Sequence, residues 1–146
     1  MIEFVNVSKV YKATGTRALS NFNVSIDRGE FVFVVGPSGA GKSTFIKLLM
    51  REEKPTSGEI YVNGQNLVRL KRRKVPYYRR TLGVVFQDFR LIPTMNVYDN
   101  VAFALRVTNV SAKDIRSRVP YILGLVGLSG KAKSLPEHLS GGEQQR

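Results

Sequence analysis

Cysteine is absent from this 146-residue chain, so neither a disulfide framework nor a thiolate metal site can form. Long apolar runs are absent too, because none approaches the roughly 20 residues that a membrane span requires. Residues 1–4 lack the basic-then-apolar pattern of a signal peptide. We therefore expect a soluble chain that is located in the cytoplasm.

Acidic residues are scarce, with 11 Asp and Glu against 23 Lys and Arg, and the formal net charge is +12. This charge favours phosphate-rich partners: a nucleotide, nucleic acid or an anionic membrane surface. Seven basic residues lie in one short segment, namely Arg69, Lys71, Arg72, Arg73, Lys74, Arg79 and Arg80. The first interpretation of this segment is a solvated face of a short helix, the second a surface for lipid headgroups and the third a surface for nucleic acid.

A glycine-rich loop follows the apolar run at residues 31–35, whose β-branched and aromatic side chains predict a strand buried on both faces. The loop, residues 36–44, has the sequence Gly-Pro-Ser-Gly-Ala-Gly-Lys-Ser-Thr. Phe45, Leu48 and Leu49 then recur at helical spacing. Strand, glycine loop and helix in this order are the context in which the Gly-x-x-x-x-Gly-Lys-Ser/Thr pattern forms a phosphate-binding P-loop.

The residue types in this loop suit a nucleoside triphosphate. Gly36, Gly39 and Gly41 let the backbone turn tightly, so that successive N–H groups can surround the phosphates at the positive end of the following helix. Lys42 adds a mobile positive charge near the β- and γ-oxygens. Ser43 offers its hydroxyl to Mg²⁺. The loop therefore predicts nucleotide binding.

Strand signals surround the P-loop. Short strands are expected at residues 2–7, 19–26, 59–62 and 82–86, the second with Phe22, Val24 and Ile26 on its buried face. Asn63-Gly64 is a two-residue hairpin signal after the third of these strands.

Beyond Pro93 the apolar spacing becomes helical. The first helix is expected to carry Val97, Val101, Ala104 and Leu105 along one face. The second lies between residues 111 and 126, and in it Ile115, Val119, Ile122 and Val126 recur at helical spacing. Ser111 and Asp114 are candidate caps of the second helix, and Pro120 predicts a kink.

Three motifs and one aromatic residue together resemble the ATP-binding cassette ATPases along the whole chain. Residues 36–44 match the Walker A loop, Gln87 after an apolar strand matches the Q-loop, and residues 139–144, Leu-Ser-Gly-Gly-Glu-Gln, match the signature motif. Tyr11 stands where that family places an adenine-stacking side chain.

The resemblance implies ATP and Mg²⁺ as cofactors. The nucleotide-binding residues that it implies are Tyr11, Gly36, Ser38, Gly39, Ala40, Gly41, Lys42, Ser43, Thr44, Gln87, Ser140, Gly141 and Gly142. It assigns Lys42 and Gln87 to catalysis, and Ser43 and Gln87 to the metal. It also implies a head-to-tail homodimer of complete copies, in which the signature residues bind the nucleotide of the partner copy.

Residues 83–91, 97–102 and 139–146 are most similar to the cell-division members of that family. The resemblance therefore implies a peripheral protein on the inner face of the plasma membrane, with an integral membrane protein as its partner. Such a pair relays ATP-driven movement across the membrane and regulates peptidoglycan hydrolysis at the septum. Two alternatives remain open: the ATPase of a lipoprotein or macrolide export transporter, and a soluble ATPase acting on nucleic acid. Nucleic acid is not the expected partner.

The chain departs from the family pattern after the signature motif, because no Walker B Asp and Glu, D-loop or switch histidine follow. His138, the only histidine, precedes the signature and is interpreted as a loop residue. Asp88 is the only acid that follows an apolar strand, so it is an alternative Mg²⁺ ligand.

The expected fold is an α/β P-loop domain of the ABC nucleotide-binding type, truncated at its C-terminal end. The P-loop core and an antiparallel β subdomain are expected in residues 1–92, and a helical subdomain in residues 93–146. ATP hydrolysis is expected of the full-length family member and not of these 146 residues.

Overall fold

The computed structural model describes all 146 residues, and they form two compact units, residues 1–83 and residues 84–146. Each unit has its own hydrophobic core. The boundary expected between residues 92 and 93, where the helical subdomain follows the P-loop core and β subdomain, stays a prediction.

The first unit contains a four-stranded antiparallel sheet in the order β2-β1-β3-β4. Its strands are β1 (Ile2–Tyr11), β2 (Thr16–Ile26), β3 (Ser57–Val62) and β4 (Gln65–Asn66). The alternation predicted for β2 is confirmed, since Phe22, Val24 and Ile26 are half-buried while their polar neighbours are exposed. This pattern is typical of an antiparallel strand with one face toward a core and one toward water.

The Asn63-Gly64 hairpin is also confirmed. β3 pairs with β4 through Tyr61 opposite Asn66 and Val62 opposite Gln65, so two residues form the loop. Asn63 has φ +48° and Gly64 has φ +77°. Two successive positive φ values match the right-handed twist of the flanking strands, which explains the residue types.

Helix α1 (Lys42–Leu49) packs against the sheet through an aromatic cluster. The Phe4 and Phe45 rings stack with centroids 4.8 Å apart, and Phe22 meets both rings edge-on. Leu48 is completely buried below them. Each such side chain contributes about 2 kcal/mol by leaving water, so this cluster holds the start of α1 beside β1 and β2.

A short helical segment closes this unit. A 3-10 turn at Arg72–Lys74 continues into α2 (Val75–Arg79), which buries Val75 and Tyr78. The Tyr78 hydroxyl donates a 2.6 Å hydrogen bond to the Leu49 carbonyl at the end of α1. This bond ties the basic segment to the helix that follows the P-loop.

The second unit is helical, with α3 (Val97–Val107), α4 (Ala112–Leu125) and α5 (Gly141–Gln145), and with 3-10 turns at Ser129–Lys131 and Pro136–His138. The predicted cap of α4 is confirmed, because the Ser111 side chain accepts a hydrogen bond from the backbone of Asp114. Asn96 caps α3 in the same way. None of the helices is long and apolar enough to cross a membrane.

Two residues of the predicted apolar faces, Ala104 and Ile122, are exposed, whereas Ala102 and Leu123 are buried. In α4 the buried residues Ile115, Val119 and Leu123 recur every fourth residue. Apolar residues on either side of these three positions fit a helical pattern equally well, so the packing against α3 determines which of them are buried.

The strands predicted at residues 31–35 and 82–86 do not form. Phe31, Phe33 and Val35 are 83%, 78% and 85% exposed, and Val85 is 77% exposed. A strand requires a neighbour that accepts and donates its backbone hydrogen bonds. Neither segment has such a neighbour among these residues, because the one sheet of the chain contains only β1 to β4.

Candidate functional site

The glycine loop between residues 36 and 41 has a backbone that a side chain would disturb. Gly39 and Gly41 have φ values of +81° and +91°, in the region that favours glycine. A Cβ atom at Gly41 would lie 2.5 Å from the Ala18 carbonyl oxygen of β2. Glycine at this position therefore lets the loop pass close against the sheet.

The loop leads directly into α1 without a side-chain cap. Gly41 is the N-cap residue and no side chain bonds to the first N–H groups of the helix. The first turn also carries no acidic residue. Because the unpaired N–H groups and the helix dipole both favour negative charge, this end of α1 is suited to a phosphate group.

Lys42 lies folded over the loop. Its Nζ donates hydrogen bonds of 2.7 Å to the Gly36 carbonyl and 2.8 Å to the Pro37 carbonyl. These acceptors are neutral, so the ammonium charge is oriented by the loop but not balanced by a carboxylate. An incoming phosphate can therefore interact with it more strongly than the two carbonyls do.

A cavity of about 370 Å³ opens between the glycine loop and the edge of the sheet. Its lining combines the end of β1, the start of β2, the loop and the first turn of α1: Tyr11, Thr16, Ala18, Ser38, Gly39, Gly41, Lys42, Ser43 and Thr44. Lys42 is the only charged residue in this set. The cavity therefore combines an aromatic ring, hydroxyl groups and one positive charge.

Tyr11 is fixed at this cavity by contacts on several sides. Its hydroxyl lies 3.3 Å from the Thr44 Oγ1 atom, and the Lys9 Nζ atom lies 5.0 Å from the centre of its ring. Lys9 is itself buried and bonded to Glu53 at 2.7 Å and to the Lys54 carbonyl at 2.9 Å. Because these contacts restrict the ring, Tyr11 is preorganised for stacking.

Thr16 and Ala18 were missed by sequence reasoning. They reach the site because β1 and β2 pair with Tyr11 opposite Thr16, across the turn at residues 12–15. A predicted hairpin between the first two strands would have placed Thr16 and Ala18 near Tyr11. The exact register includes three irregularities, which the apolar pattern does not show.

Gln87 belongs to the second unit and lies in an exposed turn. Phe89 and Arg90, just after it, both have positive φ values, +55° and +52°. The Arg90 guanidinium lies 3.8 Å from the centre of the Phe86 ring, and its Nε atom lies 3.5 Å from a carboxylate oxygen of Asp88. Asp88 thus has a cation beside it, and its role as an alternative metal ligand stays a prediction.

The signature residues begin α5 in the second unit. Ser140 accepts a 3.3 Å hydrogen bond from the Glu143 backbone N–H, while the Glu143 carboxylate accepts bonds from the Ser140 N–H at 2.8 Å and hydroxyl at 2.9 Å. The hydrogen bond from the Ser140 backbone, and after it the one from the Ser140 hydroxyl, lowers the pKa of Glu143. The capping box leaves Gly141 and Gly142 exposed.

The structure therefore brings together one part of the predicted set. Tyr11, Ser38, Gly39, Gly41, Lys42, Ser43 and Thr44 line one cavity, and Gly36 and Ala40 belong to the same loop. Gln87, Ser140, Gly141 and Gly142 are in the other unit. The roles of these residues, and the metal ligands Ser43 and Gln87, stay predictions.

Comparison with known proteins gives one consistent result. Residues 19–146 match the ABC transporter family. All 146 residues align with proteins named "Cell division ATP-binding protein FtsE": the Bacillus subtilis and Mycobacterium tuberculosis proteins at 53% identity and the Escherichia coli K12 protein at 48%. The chain spans 64%, 64% and 65% of those proteins.

Among solved structures, the chain is similar to a dimeric ATP-binding cassette in a post-hydrolysis state bound to ADP and phosphate. The TM-score is 0.87 at 36% identity, and the alignment covers 99% of this chain and 65% of that one. A second dimeric structure, of a bacterial ABC transporter cassette, gives the same TM-score at 37% identity.

Proposed function

This chain belongs to the ABC transporter family, and on that premise we propose that its glycine loop binds Mg²⁺-ATP, with the adenine stacked on Tyr11. The observation that carries the proposal is the single cavity that contains Tyr11 and Lys42 and the uncapped start of α1. An aromatic surface and an anion site at the two sides of one cavity match the two chemical ends of a nucleotide.

Each part of the cavity has a proposed role. The N–H groups of the loop and Lys42 bind the β- and γ-phosphates, and Gly36 and Ala40 shape the loop around them. The hydroxyl of Ser43 is a ligand of Mg²⁺, with Gln87 as a second ligand that also positions the attacking water. ATP turnover is proposed for the full-length protein, since residues 1–146 contain no Walker B pair and no histidine after the signature.

The stacking role of Tyr11 can be tested by comparing ATP with inorganic triphosphate. Stacking on a base is worth roughly 1 to 3 kcal/mol, so Tyr11→Ala is expected to weaken ATP binding by about 5- to 150-fold. Triphosphate binding, which involves no base, is expected to change by less than about twofold.

Tyr11→Phe is the matched control, because it keeps the ring and removes only the hydroxyl near Thr44. We expect it to bind ATP almost as well as the unchanged chain. If Tyr11→Ala weakens ATP and triphosphate binding equally, the residue supports the loop and does not stack on the base.

For the full-length protein we propose an ATPase subunit that works with an FtsX-like integral membrane protein in bacterial cell division. It would lie peripherally on the cytoplasmic face of the membrane and regulate septal peptidoglycan hydrolases through that partner. The identity of 48–53% to proteins named for cell division supports this proposal. The dimeric cassettes support dimerisation. We propose a head-to-tail homodimer, in which Ser140, Gly141 and Gly142 contact the nucleotide of the partner copy.

Co-purification separates this proposal from a role in lipoprotein or macrolide export. The full-length protein is expected to be retained by a detergent-solubilised FtsX-like protein and not by the membrane subunits of such exporters. Retention by an exporter subunit alone would contradict the cell-division assignment, while leaving the nucleotide site unaffected.

A further inference from the structure

A long stretch of the first unit contains no acidic residue. Between residues 60 and 83 the chain has seven basic residues and neither Asp nor Glu. The first unit as a whole has 15 basic and 6 acidic side chains, a difference of +9. The positive charge of the chain is therefore concentrated in this unit, and within it on one short segment.

Arg69 and Arg79 serve the fold. The Arg69 guanidinium pairs with the Glu59 carboxylate at 2.9 Å. Arg79 donates hydrogen bonds to the Met50 carbonyl at 2.8 Å and to the Arg51 carbonyl at 3.2 Å. Lys71, Arg72, Arg73 and Lys74 are exposed, and none of them pairs with a carboxylate.

The segment that carries these charges is held firmly. Val75 is buried, and Tyr78 is buried and bonded to the Leu49 carbonyl, so α2 is attached to the core by its inner face. Its other face, with the 3-10 turn before it, faces solvent. A fixed backbone presents the charges together and lowers the entropy that a flexible basic tail would lose on binding.

An exposed aromatic ring lies among the charges. Tyr77 is 61% exposed, with the Lys74 ammonium 5.7 Å and the Arg80 guanidinium 5.0 Å from its ring centre. We define the basic surface as residues 71–74 with Tyr77 and Arg80. A tyrosine ring among cations is typical of contacts with the boundary between lipid headgroups and acyl chains, where its apolar ring and polar hydroxyl are both satisfied.

We propose that the basic surface docks on anionic phospholipid headgroups. Clustered Lys and Arg are attracted to the negative surface of the inner leaflet, and each such residue near that surface strengthens binding roughly fivefold. This lipid contact rests on the proposed membrane-peripheral function and adds a direct interaction with the bilayer to it. The contact does not require nucleotide.

The observations favour lipid over nucleic acid. The 3-10 turn and α2 together contain eight residues, and Tyr77 is the only exposed aromatic residue in them. Non-specific binding of single strands combines a basic groove that follows several phosphates with several stacking rings. An exposed segment of this length with one ring provides a local contact instead.

The test measures binding of the 146-residue chain to vesicles without nucleotide. Vesicles of phosphatidylcholine alone are compared with vesicles that contain about 30 mol % phosphatidylglycerol, in about 0.1 M salt. The triple variant Arg72→Gln/Arg73→Gln/Lys74→Gln removes three charges from the basic surface. We expect it to weaken binding to the anionic vesicles by roughly 100-fold, and we expect little binding to neutral vesicles.

The matched control is Lys113→Gln/Arg116→Gln/Arg118→Gln, which removes three exposed charges from α4 in the second unit. It lowers the net charge equally and is expected to weaken vesicle binding by less than about threefold. Equal losses in both triple variants would overturn the proposal, since total charge would then explain the binding. No binding to anionic vesicles would overturn it as well.

A short DNA duplex provides the last comparison. If the duplex binds more tightly than the anionic vesicles and the Arg72 triple variant abolishes that binding, the surface is for nucleic acid and the lipid proposal is wrong. Failure of the nucleotide site has a separate readout, because ATP binding by the same variants is measured without vesicles and is expected to be unchanged.

Discussion

Contacts of single side chains connect the secondary-structure elements of the first unit. Lys9 is the most connected, because its buried ammonium group contacts Glu53, the Lys54 carbonyl and the Tyr11 ring. Tyr78 has the same role between α2 and α1. The bonds of Lys9 to Glu53 and Lys54 and the bond of Tyr78 to Leu49 join residues far apart in sequence, so they do not follow from the local pattern.

Because of Tyr78, the stability of the fold is expected to decrease as the pH rises through the alkaline range. Burial raises the pKa of Tyr78 to about 12, whereas a tyrosine in the unfolded chain ionises near pH 10. Between these values the folded chain binds more protons than the unfolded chain. The contribution of Tyr78 is therefore complete below about pH 10 and is lost as the pH rises toward about 12.

Tyr78→Phe tests this dependence by chemical denaturation at several pH values. The variant loses the hydrogen bond to Leu49 and is expected to be about 1 kcal/mol less stable at neutral pH. Its disadvantage relative to the unchanged chain is expected to shrink between about pH 10 and pH 12. Tyr77→Phe, at an exposed position, is the control. A disadvantage that does not change over this range would contradict the assignment.

At the scale of elements, features with local causes could be predicted and features with distant causes could not. The Asn63-Gly64 turn and the Ser111 cap depend on residues within four positions and occur as predicted. The strands at residues 31–35 and 82–86 depend on partner strands and do not form. The glycine loop was predictable because its conformation is set by its own glycines, whereas Thr16 and Ala18 required the register of β1 and β2.

The connector between residues 87 and 93 has an apolar side in the second unit. Phe89 and Leu91 line a cavity of about 470 Å³ with residues of α3 and α4. Asn100 holds the connector by accepting a hydrogen bond from the Ile92 N–H and donating to the carbonyls of Ile92, Met95 and Asn96. A held connector with apolar side chains beside a cavity is a candidate contact for the membrane partner.

Leu91→Glu in the full-length protein tests this contact. Placing a carboxylate in an apolar interface costs several kcal/mol, so retention by the detergent-solubilised FtsX-like partner is expected to fall at least about tenfold. ATP binding is expected to stay unchanged. Leu125→Glu, at a position of α4 that is 66% exposed and does not line the cavity, is the control. Unchanged retention of Leu91→Glu would show that Leu91 packs only within its own unit.

For the whole molecule, four separate regions contribute to one proposed function. The nucleotide cavity and the basic surface are in the first unit, and the signature residues and the apolar connector are in the second. The family, the P-loop and the class of fold could be predicted from motifs, because phosphate chemistry constrains the residues of those motifs strongly. The chain spans 63–65% of the cell-division relatives that it matches, so turnover and partners are properties to test on the full-length protein.

The most direct test of the account is the affinity of residues 1–146 for Mg²⁺-ATP, measured by titration calorimetry for the unchanged chain, Lys42→Ala and Lys47→Ala. Lys47 is exposed on the same helix but does not line the cavity, so its removal controls for the loss of one positive charge. We expect Lys42→Ala to weaken binding by roughly 100-fold and Lys47→Ala by less than about threefold, because only Lys42 can contact the phosphates directly. Equal affinity in the unchanged chain and in Lys42→Ala would contradict the nucleotide site.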